Sequence, residues 1–306
     1  MAAKAEVAAK TDVETVEVLH AEPRACALRG SKGHFLRGWS RGVGNCDALF
    51  LHGVGDHSRV FDPVLERLPA GLRGLAVDLR GHGDSAWSDA RDYSRSAFRR
   101  DLDQIVADLP GERFVLVGHS LGGALALELA AARPERLAGL CLLDVGPAVE
   151  PAALQRLETG LAGNAREYAD LDDYTASLGE RYWLADARAL GRFARHSVRP
   201  AASGGLVPKL DPATRSVLHE RSDGQPGWAQ LRRVACPVLV VRAVGSAVLS
   251  RAVAQRMVES LPNGRLCEIP RAGHALLLDN PQAVTGVVVD FLRSALADRT
   301  RRAAAG

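Results

Sequence analysis

Ser120 stands at the centre of Gly118-His119-Ser120-Leu121-Gly122, with the apolar run Phe114-Val115-Leu116-Val117 before it and an Ala/Leu-rich stretch from Gly123 to Ala132 behind it. A strand, a sharp turn and a helix in that order lift a hydroxyl to a helix N-terminus, where a developing oxyanion is favoured. Glycines two before and two after the serine let the turn close with backbone against backbone. A small-residue turn serving only packing is the alternative, but it would need no distant partner. His274 supplies one. It follows the apolar segment Leu266 to Ile269 and the tight turn Pro270-Arg271-Ala272-Gly273, which brings an imidazole to the sheet edge where ligands bind in open α/β folds. There it can take a serine proton and return it to a leaving group.

The elements that must position these two residues are legible as periodicity. Short continuous apolar runs at Ala48 to Leu51, Leu75 to Val77, Phe114 to Val117, Leu140 to Leu143, Val238 to Val241 and Leu266 to Ile269 alternate with helical stretches, the pattern of a parallel sheet covered on both faces. Helices are predicted at 59–68, 94–109, 121–133, 250–260 and 281–297, with Pro134, Pro262 and Pro281 at boundaries. Val16 to Leu19 and His34 to Trp39 read as two early antiparallel strands around a turn at Arg29 to Gly33. Between Pro147 and Gln230 the alternation stops and a helical composition takes over, with Leu157, Leu161, Tyr168, Tyr174, Tyr182 and Trp183 among its apolar members. The predicted organisation is a disordered tail at 1–14, an α/β core at 15–146 and 231–298, an inserted helical cap at 147–230 and a C-terminal tail at 299–306.

Composition excludes several classes. The chain has 306 residues, a net charge of +3 and 47% hydrophobic residues, which suits one large α/β domain with an insertion. Its cations are almost all arginine, with lysine only at positions 4, 10, 32 and 209. The Arg91 to Arg100 cluster is interleaved with Asp92 and Asp101, a solvated helix face and no nucleic-acid surface. No stretch reaches the ~18 apolar residues of a spanning helix, and charges at Lys4, Glu6, Lys10 and Asp12 interrupt any signal-peptide core. Five scattered cysteines without a C-x-x-C pair fit a reduced compartment, so a cytoplasmic location is expected, with the thiols as small core residues. No compact ligand set for a metal is present, and Gly53-x-Gly55 is too short for a dinucleotide site; no metal and no cofactor are expected.

From about Leu49 to Leu292 the chain resembles the α/β-hydrolase superfamily, in its capped, serine-nucleophile, esterase-like branch. The resemblance rests on Leu51-His52-Gly53-Val54-Gly55 after a strand, Asp78-Leu79-Arg80-Gly81-His82-Gly83-Asp84-Ser85 at the next strand end, the serine turn itself, and Gly273-His274 with Asn280-Pro281. It implies a mostly parallel central sheet with helices on both faces and an inserted helical cap. It also implies an oxyanion hole from the backbone N–H groups of Val54 and Leu121, each such donor being worth ~3–4 kcal/mol in the transition state. His52 and His82 read as loop-shaping residues bonded to nearby backbone, and His57 as a surface residue.

One position departs from the family pattern. The loop after Val238 to Val241 usually carries the acid of the triad, and the residue at that place here is Ala247. Asp144, at the end of Leu140 to Leu143, is the best substitute, because part of the family places its acid there. Asp144-Val145-Gly146-Pro147 also reads as an Asx-type strand terminator, so both roles stand open, and without an acid hydrolysis would be inefficient. Asp279 reads as a cap of the helix at Pro281, and Glu268 as a mid-strand residue. The expected function is cofactor-independent hydrolysis of an ester, thioester or related activated carbonyl through an acyl-enzyme on Ser120, with His274 as base and a small, mostly apolar substrate. The alternatives are a non-hydrolytic epimerase, isomerase, lyase or cyclase using His274 as acid/base, or a non-catalytic binding module.

Overall fold

The computed structural model describes residues 23–162, 166–220 and 227–305. Its centre is an eight-stranded sheet built from β1 (Arg24–Arg29), β2 (Phe35–Arg41), β3 (Gly44–Leu51), β4 (Gly71–Val77), β5 (Phe114–His119) and β6 (Leu137–Leu143), then β9 (Val238–Ala243) and β10 (Gly264–Ile269). The spatial order is β1-β2-β4-β3-β5-β6-β9-β10. β1 pairs antiparallel with β2 and β2 with β4, while every pair from β4 onward is parallel. The reason lies in the sequence: all residues of β5 and β6 are buried, and a strand apolar on both sides is stable only where helices cover both faces.

Two apolar layers do this. On one face Phe98 and Leu102 of the helix Arg95–Asp108 and Leu125 and Leu129 of the helix Leu121–Ala132 pack against Leu49, Leu116 and Leu140. On the other, Val284, Val288 and Leu292 of the helix Pro281–Ala305 pack with Phe50, Val117 and Leu143. The helix after Ser120 docks so closely that a Cβ on Gly122 would fall 2.2 Å from the Leu51 carbonyl oxygen. Only glycine permits that approach. The six predicted strands of the parallel rhythm are all present.

Several boundaries differ from those predicted. The strand facing β2 is Arg24–Arg29, an alternating edge segment whose two arginines and three small residues hide its pattern; Val16 to Leu19 and the tail at 1–14 lie outside the described residues. The predicted helix 59–68 is a 3-10 turn Ser58–Phe61 followed by the short helix Asp62–Leu65. The last helix runs on to Ala305, through the stretch predicted as a tail, because Ala and Arg are strong helix formers. Cys141 and Cys236 pack as buried residues, as expected, and burial pushes the Cys236 thiol up to about 11 and that of Cys141 further. Among the described residues no helix is long and apolar enough to cross a membrane.

The insertion between β6 and β9 carries the helices Pro151–Ala162, Leu171–Arg181 and Ala187–Ser197. It also contains a two-stranded antiparallel ribbon, β7 (Val198–Pro200) with β8 (Leu206–Pro208), which its helical composition does not announce. Asp170 and Asp186 cap the second and third helices by accepting the Asp173 and Ala189 N–H groups at 2.9 Å. Tyr174, Leu178, Leu190 and Phe193 bury themselves beneath the cap, so these residues seat it on the core.

Candidate active site

The turn between β5 and the following helix holds Ser120 at φ 50°, ψ −118°, a strained conformation for a residue with a Cβ. It is pinned from both sides: Ser120 N–H donates to the Leu143 carbonyl at 3.1 Å and Gly122 N–H to the His52 carbonyl at 3.0 Å. The Ser120 hydroxyl consequently faces the cleft under the cap.

His274 reaches it from the loop after β10. Its Nε2 lies 3.0 Å from Ser120 Oγ and its Nδ1 lies 2.8 Å from Asp144 Oδ2. A carboxylate only accepts, so Nδ1 carries the proton and Nε2 is left to accept from the serine hydroxyl. The loop is held by Asp279, whose carboxylate accepts the Gly273 N–H at 2.8 Å. Asp279 therefore braces the histidine loop, and the cap of the helix at Pro281 is Asn280, whose Oδ1 accepts the Ala283 N–H at 3.3 Å.

Asp144 is fully buried and sits at φ 47° immediately after β6. Its partners lie far along the chain: Ala243 N–H donates to Oδ1 at 3.0 Å, and Ser246 Oγ and His274 Nδ1 both donate to Oδ2. An Asx-type terminator would bond its own backbone two residues on; this carboxylate instead joins β6 to β9 and to the histidine loop. Ala247 lines the cleft beside Ser246. Glu268 is occupied by Arg242 at 2.9 Å.

Val54, in the loop after β3, lines the cleft with Ser120, and Leu121 opens the helix that follows the serine, where leading N–H groups have no intrahelical acceptor. A Cβ on Gly53 would meet Ser120 Cβ at 3.1 Å, so the loop after β3 runs directly against Ser120. Two neutral imidazoles shape this loop and the neighbouring one after β4. His52 Nδ1 donates to the Gly53 carbonyl at 2.7 Å and its Nε2 accepts the Leu79 N–H at 2.9 Å, while His82 Nδ1 donates to the Arg80 carbonyl. Burial pushes His52 down to about 4 and His82 to about 3. His57 is not on the surface: it is 3% exposed, stacked on Phe193 at 4.5 Å, with Nε2 beside Ser197 Oγ. The cap covers it, which no local spacing signals.

A buried imidazole, His119, adjoins His274 with ring centroids 5.0 Å apart. His119 Nε2 donates to the His274 carbonyl at 2.9 Å and Nδ1 faces Asp56 Oδ2 at 3.2 Å. Both nitrogens meet acceptors, so both carry protons. Burial works against that charge, but the bonded Asp56 carboxylate and the His274 carbonyl outweigh it and raise the His119 pKa above the ordinary histidine value. Asp56 is correspondingly lowered despite its burial.

The cleft above Ser120 has a volume of about 290 Å³, room for a small ligand. Its apolar wall comes from Val54, Leu157, Leu161, Trp183 and Val248, and its polar groups include Arg156, Arg181 and Tyr182. Among the described residues no group of three or more metal-ligating side chains is assembled.

Comparison with known proteins agrees with this architecture. A model of the alpha/beta hydrolase family matches residues 48–287, and the chain belongs to that family. It is 29% identical over 246 residues to the 2-(acetamidomethylene)succinate hydrolase of Mesorhizobium japonicum, covering 80% of this chain and 87% of that protein. It is 31% identical over 251 residues to an esterase of Mycobacterium tuberculosis, covering 78% and 80%. A crystal structure of E-2-(acetamidomethylene)succinate hydrolase superposes with a TM-score of 0.79 at 26% identity, over 89% of this chain and 99% of the other. These relatives are hydrolases and esterases, and the chain is an enzyme of the alpha/beta hydrolase type.

Proposed function

We propose that the protein is a cofactor-independent serine hydrolase acting on a carboxylic ester, thioester or related activated carbonyl of a small substrate whose hydrocarbon part lies against the apolar wall of the cleft. The observation that carries this reading is the continuous chain of contacts from Ser120 Oγ through His274 to Asp144, 3.0 Å and 2.8 Å long. Ser120 Oγ attacks the carbonyl carbon as its proton passes to His274 Nε2, and the oxyanion of the tetrahedral intermediate takes hydrogen bonds from the Val54 and Leu121 N–H groups. Collapse breaks the bond to the alcohol or thiol, which leaves with the proton from His274. Water then attacks the acyl-enzyme, giving its proton to the same nitrogen, and the second collapse returns Ser120 and releases the acid.

In this reading Asp144 is the third member of the triad, orienting the imidazole and stabilising its cationic form. Alanine at 247 then costs the enzyme no acid, and the motive for a non-hydrolytic isomerase, lyase or cyclase falls away. The test is labelling with a fluorophosphonate and turnover of short p-nitrophenyl esters by the parent and by Ser120→Ala. Labelling confined to the parent, with kcat reduced by at least ~10³-fold in the variant, is the expected result; equal turnover by both proteins would overturn the proposal.

A further inference from the structure

The cap places two arginines, Arg156 and Arg181, in the lining of the cleft. Arg181 ends the helix Leu171–Arg181, and its Nη1 donates to the Gly160 carbonyl at 2.9 Å, while Nη2 contacts the Tyr182 hydroxyl. Arg156 lies one helical turn before Gly160 on the helix Pro151–Ala162, so residues 156 and 160 share the face that looks into the cleft. Both arginines thus line the cleft from the cap side. Among the described residues neither forms an ion pair with Asp or Glu.

The two acids that line the same space are already engaged. Asp56, whose charge Arg181 feels, bonds His119, and Asp279 accepts the Gly273 N–H. A guanidinium has five N–H donors in a planar fork, and the two contacts of Arg181 leave the rest of the fork for a ligand. Its position relative to the nucleophile is fixed by the oxyanion loop: a Cβ on Gly55 would lie 3.9 Å from Arg181 Nη2, and a Cβ on Gly53 3.1 Å from Ser120 Cβ. Arg156, Arg181 and the protonated His119 outnumber Asp56 and Asp279 in the lining, and surplus positive charge in a partly enclosed cleft is costly unless an anion fills it. A planar fork fits a carboxylate better than a point charge does.

We infer that the substrate carries a free carboxylate on its acyl side, held by Arg181 with Arg156 at the mouth, so that the enzyme cleaves half-esters or half-thioesters of short dicarboxylic acids. This rests on the hydrolase reading for the bond that is broken, while the carboxylate site itself is independent of turnover.

The experiment compares kcat/KM for mono-p-nitrophenyl esters of succinate, glutarate and adipate with methyl-terminated p-nitrophenyl esters of the same length, at low and high salt. The parent should prefer at least one charged ester by about 10- to 100-fold, the range of a charge-assisted hydrogen-bonded pair. That preference should shrink in high salt, collapse in Arg181→Gln, recover in part in Arg181→Lys, and fall several-fold in Arg156→Gln, whose exposed side chain makes loss of the fold an unlikely confounder. Calorimetric titration of glutarate and adipate into Ser120→Ala, with and without Arg181→Gln, reads the site without catalysis. Neutral esters cleaved at least as well as charged ones, or a charged preference that survives Arg181→Gln, would reduce Arg181 to a brace between cap helices and overturn the inference while leaving the hydrolase intact. Dicarboxylate binding that needs Arg181, in a protein that cleaves no ester, would sustain the carboxylate site and remove the hydrolase.

Discussion

Ser246 donates its hydroxyl to the same Asp144 oxygen that receives His274 Nδ1. The serine also accepts the Val248 N–H at 3.0 Å, so it ties the loop after β9 to the buried carboxylate and fixes the angle at which that carboxylate meets the imidazole. Ser246→Ala removes one of three donors to Asp144. We expect kcat to fall about 3- to 10-fold with KM little changed, the cost of one hydrogen bond to a charged group that keeps its other partners; an unchanged kcat for a p-nitrophenyl ester would show that Ala243 and His274 hold the carboxylate alone.

Asp144→Asn keeps the shape and removes the charge. With an amide in place, the histidine can be held in the wrong tautomer, and kcat should drop by roughly 10³- to 10⁴-fold. Ala247→Asp in the otherwise unaltered protein should bring no gain, since the Nδ1 proton already has its acceptor. Steady-state turnover of both variants decides the matter, and a gain of tenfold or more from the new aspartate would mean that Asp144 is a poor partner.

The His119–Asp56 pair makes stability depend on pH. His119 is raised in the folded protein, so its contribution is complete below the ordinary histidine pKa of about 6.5 and is lost as pH climbs through the raised value. Asp56 is lowered, so its contribution is present above about 3.9 and is lost as pH falls through the lowered value. The stability gap between the parent and His119→Gln should therefore be widest between about pH 4 and 6.5, on the order of 1–3 kcal/mol, and narrow at higher pH. Denaturant titrations across that range test it; a gap that is constant or that widens above neutrality is the contrary result.

Two glycine substitutions should act in opposite directions. Gly122→Ala drives a methyl to 2.2 Å from the Leu51 oxygen and 2.6 Å from that of His52, backbone atoms that cannot turn aside, and we expect a loss of several kcal/mol or no folded protein. Gly286→Ala, inside the helix Pro281–Ala305 with nothing within 4 Å of the new methyl, should raise stability by about 0.5–1 kcal/mol. Thermal melts of the two proteins report both effects.

The sheet was readable because each parallel strand is a run of residues buried on both sides, a signal that needs no knowledge of neighbours. Ser120 and His274 were readable for a related reason, since each follows such a run by a short turn. Asp144 was readable only as one of two possibilities: its role depends on which residues of β9 and the β10 loop come to lie beside it, 99 to 130 positions away. Ser246, His119 and Asp56 carried no spacing signal at all, because a serine in a loop and a histidine inside an apolar turn acquire partners only through the fold. The ribbon β7–β8 escaped notice because its strands have three residues each and both end in proline. His57 was misplaced because the ring that shields it, Phe193, belongs to the cap.

In the proposed triad the acid comes from the end of β6, so two neighbouring central strands would carry both the nucleophile and the charge that orients its base. The loop after β9 contributes the bracing Ser246, while Ala247 and Val248 line the cleft. Selectivity can therefore be retuned at those two positions by side-chain exchange, as one would change the jaw of a tool without touching its drive.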